Sequence, residues 1–375
     1  MSYLGENIKK LGFGLMRLPM IGDDIDLEQV KQMVDLFLEK GFTYFDTAYG
    51  YHDGQSEVAI RKALVERHPR DSFQLATKLP AFYGASTAKE AQDMFWTSLD
   101  RAGVDFFDFY LLHNLGAGRT EAFDRFGIWD FAARQKQEGR IRHLGFSIHA
   151  TADRLEEVLK EHPEMEFVQL QINYADWDSG IIQARRCYEV ARKYNKPIIV
   201  MEPVKGGYLA NLPESIADIF RRTNPAVSTA SWAIRYAASL ENIITVLSGM
   251  SNLEQMKDNV SFMEKFQPLS PAEAEVVEKV RKALAQIPQI PCTDCHYCLK
   301  GCPQNIAIPG TLRVMNDYLL SHDLNAAKFG YQWETTALKK APASECIECG
   351  ECETVCPQSI KIIEELAKAA KVLES

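Results

Sequence analysis

The first 291 residues contain a single cysteine, Cys187, and the other eight cysteines of this 375-residue chain are confined to positions 292–356. A disulfide framework spread through the fold is thereby excluded. No apolar run is long enough to cross a bilayer, and the N-terminal MSYLGENIKK has no apolar h-region of a secretory signal. The expectation is a cytoplasmic protein with no membrane association. Positive charge is in deficit, with 42 Lys and Arg against 51 Asp and Glu and a net charge of −9. That balance argues against nucleic acid as a ligand and suits solubility or a basic partner. No G-x-G-x-x-G follows the first apolar run, so the fingerprint of an open doubly wound sheet is missing too.

What is present is a rhythm. Apolar, β-rich runs return at LGFGLMRL (11–18), FTYFDTA (42–48), FQLATKL (73–79), FDFYLLH (107–113), IRHLGFSI (141–148), FVQLQINY (167–174), KPIIVMEPV (196–204) and NIITVLSG (242–249). Several are almost continuously hydrophobic, as strands covered on both faces of a parallel sheet must be. Amphipathic stretches separate them, among them LEQVKQMVDLFLEKG (27–41), ADRLEEVLKEHP and SGIIQARRCYEVARKYN, with apolar positions at helical spacing. Eight strands alternating with helices predict a (β/α)8 TIM barrel over residues 1–265, an open doubly wound sheet being the competitor. Cys187 falls in one of the helical stretches and reads as a small buried apolar side chain.

Residues 266–290 read as a connecting helix and linker. Ser270 stands as N-cap, Pro271 at the first helical position and Glu273 completes a capping box; QIPQIP (286–291) ends the helix. Residues 291–375 form a second, smaller domain, expected to be largely helical because stretches such as GTLRVMNDYLLSHDLNAAKF separate its two cysteine runs.

Those runs, CTDCHYCLKGCP and CIECGECETVCP, place cysteines at 292, 295, 298 and 302 and again at 346, 349, 352 and 356, each followed by proline. Zinc sites use two C-x2-C pairs at a distance. C-x2-C-x2-C-x3-C-P is instead the bacterial ferredoxin pattern, in which the fourth cysteine serves the other cluster. The resemblance implies a ferredoxin-like domain with two [4Fe–4S] clusters. Cys292, Cys295 and Cys298 would pair with Cys356, and Cys346, Cys349 and Cys352 with Cys302. His296 reads as exposed or tuning, not as a ligand.

In a barrel, chemistry gathers where strands end at the C-terminal face. Those positions hold Asp46, Lys78, His113, Ser147, Gln171 with Asn173, Glu202, and Ser248 with Gly249. Polar groups at nearly every strand end point to a site. The segments FDTAYGY (45–51), ATKL (76–79), LLH (111–113), GFS (145–147), QINY (171–174) and SGMSNLEQMKDN (248–259) resemble, in order, those of the aldo/keto reductase family.

That resemblance implies NADPH- or NADH-dependent interconversion of carbonyls and alcohols, with a small carbonyl or alcohol as substrate. It implies a catalytic tetrad of Asp46, Tyr51, Lys78 and His113. It also implies cofactor contacts from Gly14, Leu15 and Met16 on the first strand segment, from Ser147 and Gln171 to the nicotinamide carboxamide, and from Met201 beneath the ring. Ser248, Gly249, Met250, Ser251, Gln255 and Asn259 would hold the adenosine half. NADPH-specific members carry a lysine, a hydroxyl residue and an arginine where this chain has Gly249, Met250 and Gln255, so NADH or mixed use is in keeping. Phe82, Tyr83, Leu115, Trp177 and Tyr208 are candidate walls of the substrate pocket.

Nicotinamide carries an electron pair and a cluster carries one electron, and no flavin motif stands between them. Three readings follow. The clusters exchange electrons with a separate ferredoxin or flavoprotein partner; they are structural or oxygen-sensing; or the barrel is a nicotinamide-binding electron-transfer subunit that does not turn over carbonyls.

Overall fold

The computed structural model describes residues 4–116, 118–321 and 323–375. Its strands are β1 (Leu11–Gly14), β2 (Met20–Ile21), β3 (Asp24–Ile25), β4 (Tyr44–Asp46), β5 (Gln74–Leu79), β6 (Phe107–Leu115), β7 (Ile141–Ile148), β8 (Phe167–Gln171), β9 (Ile198–Met201) and β10 (Ile243–Ser248). Eight of them close into a parallel barrel in the order β1-β10-β9-β8-β7-β6-β5-β4, and β2 and β3 make a separate antiparallel hairpin. The (β/α)8 expectation therefore holds and the open sheet does not occur. The hairpin was not foreseen, because two-residue strands leave no periodicity to read.

The continuous apolar runs have the cause expected of them. Every residue of β6 and β10 is buried, one face against the barrel interior and the other against helices. Inside the barrel lie Tyr44, Phe109, Leu111, Phe167, Ile199, Ile244 and Leu247, with Leu4 and Ile8 packed against them. Gly145 is demanded by this interior, since a Cβ there would lie 2.4 Å from the Phe167 carbonyl oxygen. Outside, the helix Leu27–Glu39 starts at Asp26, whose carboxylate accepts the Gln29 N–H at 3.1 Å. It buries Val30, Met33, Val34 and Phe37, each burial stabilising by roughly 1.5–3 kcal/mol. Cys187 is buried in the same shell, as expected.

The chain forms two compact units. The first comprises residues up to Val204 and Ala210–Glu278; the second comprises Lys205–Leu209 and Lys279–Ser375. The division falls inside the helix Pro271–Leu284, whereas the sequence put that helix in a segment of its own. The capping box is formed: Glu273 Oε2 accepts the Ser270 N–H at 2.8 Å, and Ser270 Oγ accepts the Glu273 N–H at 3.3 Å. The inclusion of Lys205–Leu209 in the second unit was not legible. Gly206 sits so close to Thr293 that a Cβ would lie 2.6 Å from the Thr293 carbonyl oxygen. Tyr208, a candidate pocket wall, belongs to this segment and so to the second unit.

That unit is largely helical, with helices Ile308–Ser321, Leu324–Gln332 and Ile362–Leu373; His322, in the stretch between the first two, lies outside the described residues. Its own core combines Ile306, Leu312, Met315, Ile360 and Leu366 with Cys298 and Cys352. Tyr331 fastens the last helix to the approach of the second cysteine motif. Its hydroxyl donates to Glu374 Oε1 at 2.5 Å and accepts from the Ala343 N–H at 2.6 Å. Among the described residues no helix is long and apolar enough to cross a membrane.

Candidate functional site

Parallel register brings the polar strand ends to one rim. Gly14 pairs with Asp46, Asp46 with Ala76, Lys78 with Leu111, Ser147 with Gln169, Gln171 with Met201, and Phe13 with Ser248. Asp46, Lys78, His113, Ser147, Gln171 and Ser248 are all buried there.

The centre is Lys78, wholly buried. Its ammonium donates to Asp46 Oδ1, to the Thr47 carbonyl at 2.7 Å and to the Tyr51 hydroxyl at 3.4 Å. It also lies 4.8 Å from the centre of the Tyr51 ring. Burial, the largest influence on each, lowers Lys78 and raises Asp46, and each charge opposes that effect on the other. His113 approaches Tyr51 edge to face, ring centres 5.8 Å apart. Desolvation first, and then the Lys78, His149 and Arg119 cations or rings, hold His113 well below the usual imidazole value. The four residues singled out from the sequence thus stand together. A cation beside a phenol favours the phenolate and eases loss of its proton.

Tyr51 rides on a tight turn. Tyr51–Gly54 contains left-handed backbone at His52 (φ 48°), Asp53 (φ 53°) and Gly54 (φ 88°). The two non-glycine positions cost on the order of 1–3 kcal/mol each. Such a turn persists only where its surroundings hold it, and the Leu18 N–H contributes by donating to His52 Nε2 at 3.4 Å. A left-handed Asn114 (φ 56°) follows His113, and its N–H donates to Ser147 Oγ at 2.7 Å. Ser147 thereby ties β6 to β7.

Gln171 is already engaged. Its Nε2 donates to Asp176 Oδ2 at 3.0 Å, and Asn173 Nδ2 donates to the same oxygen at 2.9 Å. It also bonds His149, which sequence reasoning passed over. Desolvation and then the Arg119 cation push His149 down to about 3, the Gln171 bond opposing them. Met201 ends β9, its sulfur accepting from Gln169 Nε2 at 3.6 Å. Among the candidate walls, Leu115 is buried in the core, Phe82 and Trp177 pack partly buried against it, and Tyr83 is exposed.

On the other side of the rim, Gly14 lies against the end of β10, where a Cβ would stand 3.4 Å from the Ser248 carbonyl oxygen. Leu15 is buried and Met16 half-buried in the turn that follows. Ser248 Oγ donates to Asn259 Oδ1 at 2.7 Å, and Met250 packs into the core. Gln255 closes the turn by accepting the Ser251 N–H at 2.7 Å, and Asn252 caps the helix Leu253–Met263. Ser248, Met250, Gln255 and Asn259 therefore shape the turn through contacts within the protein. Arg17, not foreseen, reaches across Gly249, where a Cβ would lie 3.5 Å from its Cδ; the signal was a lone cation one residue past Gly14–Met16.

The rim suits a nicotinamide cofactor. His113 Nδ1 and Asn114 Oδ1 are buried without a partner among the described residues, and Arg17 adds positive charge beside the glycines at 14 and 249.

In the second unit the cysteines of the two motifs come within reach of one another. Burial first, and then the neighbouring Cys295, Cys292, Cys356 and Cys352, raise the Cys298 thiol well above its ordinary value. Cys352 is pushed up to about 11 by burial, then Glu353, then Cys346, Cys349 and Cys302. Each set of three thus has the other motif's fourth cysteine within electrostatic reach, and the two sets adjoin. Among the described residues no three His, Cys, Asp or Glu side chains converge as a lone metal ion would require; a cluster instead asks for four thiols around a larger body.

The two loops share a backbone. Left-handed residues recur at equivalent places: Asp294 and Glu348, His296 and Gly350, Asn305 and Ser359. His296 is exposed, its ring against Asp294 at 2.9 Å, as the sequence suggested. The chemistry of the donor set, eight thiols in two closely spaced runs, fits iron–sulfur chemistry.

Residues 10–282 match the aldo/keto reductase family and residues 291–361 a 4Fe-4S dicluster domain. The chain belongs to the aldo/keto reductase family and carries a 4Fe-4S dicluster domain C-terminal to its barrel in sequence. It is 26% identical over 249 residues to an aldo-keto reductase of Mycolicibacterium smegmatis, 65% of this chain and 81% of that one. It is 22% identical over 300 residues to an NADH-specific methylglyoxal reductase of Escherichia coli, 68% of this chain and 89% of the other. Among solved structures, the holo form of an aldo-keto reductase from Bacillus halodurans superposes with a TM-score of 0.56 at 24% identity, covering 74% of this chain and 95% of that one. An NADPH complex of an aldo-keto reductase from Klebsiella pneumoniae gives 0.57 at 19% identity, covering 75% and 96%.

Proposed function

We propose that this oxidoreductase interconverts small carbonyl compounds and alcohols with NADH or NADPH, and that its second unit holds two [4Fe–4S] clusters for single-electron exchange with a ferredoxin or flavoprotein. The observation that carries the first part is the contact chain Asp46–Lys78–Tyr51 with His113 beside it. Bound nicotinamide supplies or accepts a hydride at the carbonyl carbon. Tyr51 donates the proton that the carbonyl oxygen requires, and Lys78 makes that donation easier by favouring the phenolate left behind. Asp46 keeps the lysine charged and in place. His113, neutral because desolvated, orients the carbonyl oxygen by a hydrogen bond and does not compete as an acid.

Gly14, Leu15, Met16, Ser147, Gln171, Met201 and the turn from Ser248 to Asn259 would frame the cofactor, with Arg17 facing its phosphates. Cys292, Cys295, Cys298 and Cys356 would hold one cluster and Cys346, Cys349, Cys352 and Cys302 the other. The eight thiols also favour a second reading, a nicotinamide-binding electron-transfer subunit whose barrel does not reduce carbonyls.

One experiment separates the two. Protein purified without oxygen is checked for about eight irons per chain, mixed with NADH or NADPH, and followed by EPR with and without a panel of small aldehydes and ketones. The reductase reading expects cofactor oxidation only when a carbonyl is present. Cluster reduction by the nicotinamide alone, with every carbonyl inert, would replace it by the electron-transfer reading.

A further inference from the structure

Glu57 is a carboxylate with no exposed surface, in the six-residue helix Gln55–Ile60 that follows the Tyr51 turn. A buried carboxylate needs a reason. Its Oε1 accepts from Thr77 Oγ1 at 2.7 Å, and Thr77 immediately precedes Lys78 in β5. Its Oε2 faces Arg101 Nη1 at 3.5 Å. Arg101 comes from the helix Ala88–Ala102 and does more than pair with Glu57. It donates to the Tyr49 carbonyl at 3.1 Å and stacks 4.6 Å from the centre of the Tyr49 ring. Its guanidinium also fills the space above Gly54, where a Cβ would lie 2.6 Å from Cζ. One side chain therefore grips the turn on both sides of Tyr51.

We propose that Glu57 and Arg101 are positioning residues beneath the Tyr51–Lys78 couple: Arg101 clamps the turn that presents Tyr51 and balances Glu57, while Glu57 acts across Thr77 as a second carboxylate for Lys78. This rests on the reading of Tyr51 as proton donor. Lys78 feels Glu57 as an influence favouring its charged form, after the nearer Asp46. Burial raises Glu57 itself, and hydrogen bonds from Thr77 and Ser98, then the Arg101 cation, oppose that rise. The titratable and charged groups around the couple are Asp46 from β4, Glu57, Arg101, and His113 and Tyr110 from β6, with Tyr44 behind Asp46. A purely structural Arg–Glu pair would steady the turn and leave the titration of Tyr51 where it was.

The test uses the full chain, free of oxygen and labelled with [13Cζ]tyrosine, the Tyr51 resonance being assigned by its loss in Tyr51→Phe. Its titration is followed in the unmodified protein, in Glu57→Gln and in Arg101→Gln. Glu57→Gln keeps an acceptor for Thr77 and removes only charge; with Asp46 still pairing Lys78, the less compensated cation favours the phenolate more strongly, and the Tyr51 midpoint should fall by about one pH unit. Arg101→Gln, at a partly exposed side chain, removes a cation and should shift it the opposite way by less, and lower kcat more than it raises KM. A folded Glu57→Gln with an unmoved Tyr51 midpoint overturns the proposal. Should that variant not fold, an unmoved midpoint in Arg101→Gln does so. A Tyr51 midpoint in the unmodified protein at the free-phenol value of about 10 does so as well, since no cation would then be acting on it. The resonance needs no turnover, so a protein inert toward every carbonyl would defeat the reductase reading and leave this result to stand or fall alone.

Discussion

Cys298 has within electrostatic reach Cys356, the last cysteine of the other motif, 58 positions later in the chain. Cys352 has Cys302 within reach in the same way. The two proposed clusters are thereby interlocked, each quartet closed by the other loop.

Loss of one fourth cysteine should therefore damage the cluster of the other motif. In Cys356→Ser the quartet of Cys292, Cys295 and Cys298 becomes incomplete, while Cys346, Cys349, Cys352 and Cys302 remain. The expected result is iron falling from about eight to four per chain, or a three-iron cluster signal in EPR. Full iron with an unaltered spectrum would refute the crossed assignment.

Tyr51→Phe removes the proposed proton donor and keeps the ring against His113 and Lys78. Carbonyl-dependent oxidation of NAD(P)H should fall about 10²- to 10⁴-fold, with cofactor affinity unchanged in a fluorescence titration. Lys78→Met should lose at least as much. Near-normal rates in Tyr51→Phe would move the acid elsewhere.

Arg17→Gln tests the cation over Gly249. A charge-assisted contact to phosphate is worth about 1.5–3 kcal/mol, so dissociation constants for NADH and NADPH should rise about ten- to hundredfold. The ratio between the two cofactors shows which phosphate it meets. Equal affinity with and without Arg17 would remove it from the cofactor site.

His149 sets a pH dependence of stability. Unfolded, an imidazole takes up its proton near 6.5; folded, His149 resists down to about 3. As pH falls below about 6.5 the unfolded chain binds the extra proton first, and folding loses about 1.4 kcal/mol per pH unit from this residue until about pH 3. His113, held low for the same reason, adds to the slope. Thermal melts between pH 7.5 and 5 should show a shallower decline in His149→Gln than in the unmodified chain. Parallel curves would mean that the imidazole is not held neutral.

Much of this was readable because the features are local. Apolar runs gave eight strands, and strand ends gave Asp46, Lys78, His113 and Ser147, since parallel pairing carries successive ends to one rim. Cysteine spacing and the terminal prolines gave two loops. Glu57 and Arg101 were not readable: each lies in an ordinary amphipathic stretch, and only closure of the barrel buries the one and folds the other under Tyr49. His149 hid for a related reason, one position beyond a recognised strand end. Lys205–Leu209 joins the second unit through contacts with Thr293, made across nearly ninety residues of chain that no periodicity records.

The matched backbone of the two cysteine loops has a consequence for what each position tolerates. Aspartate answers glutamate, histidine answers glycine and asparagine answers serine at the three left-handed positions. Different side chains hold the same left-handed angles, so the path of the chain around its thiols, and not any one residue type, sets the backbone here. The two loops differ there: Gly350 holds its left-handed angle without steric penalty, whereas His296 holds a similar angle against its own Cβ.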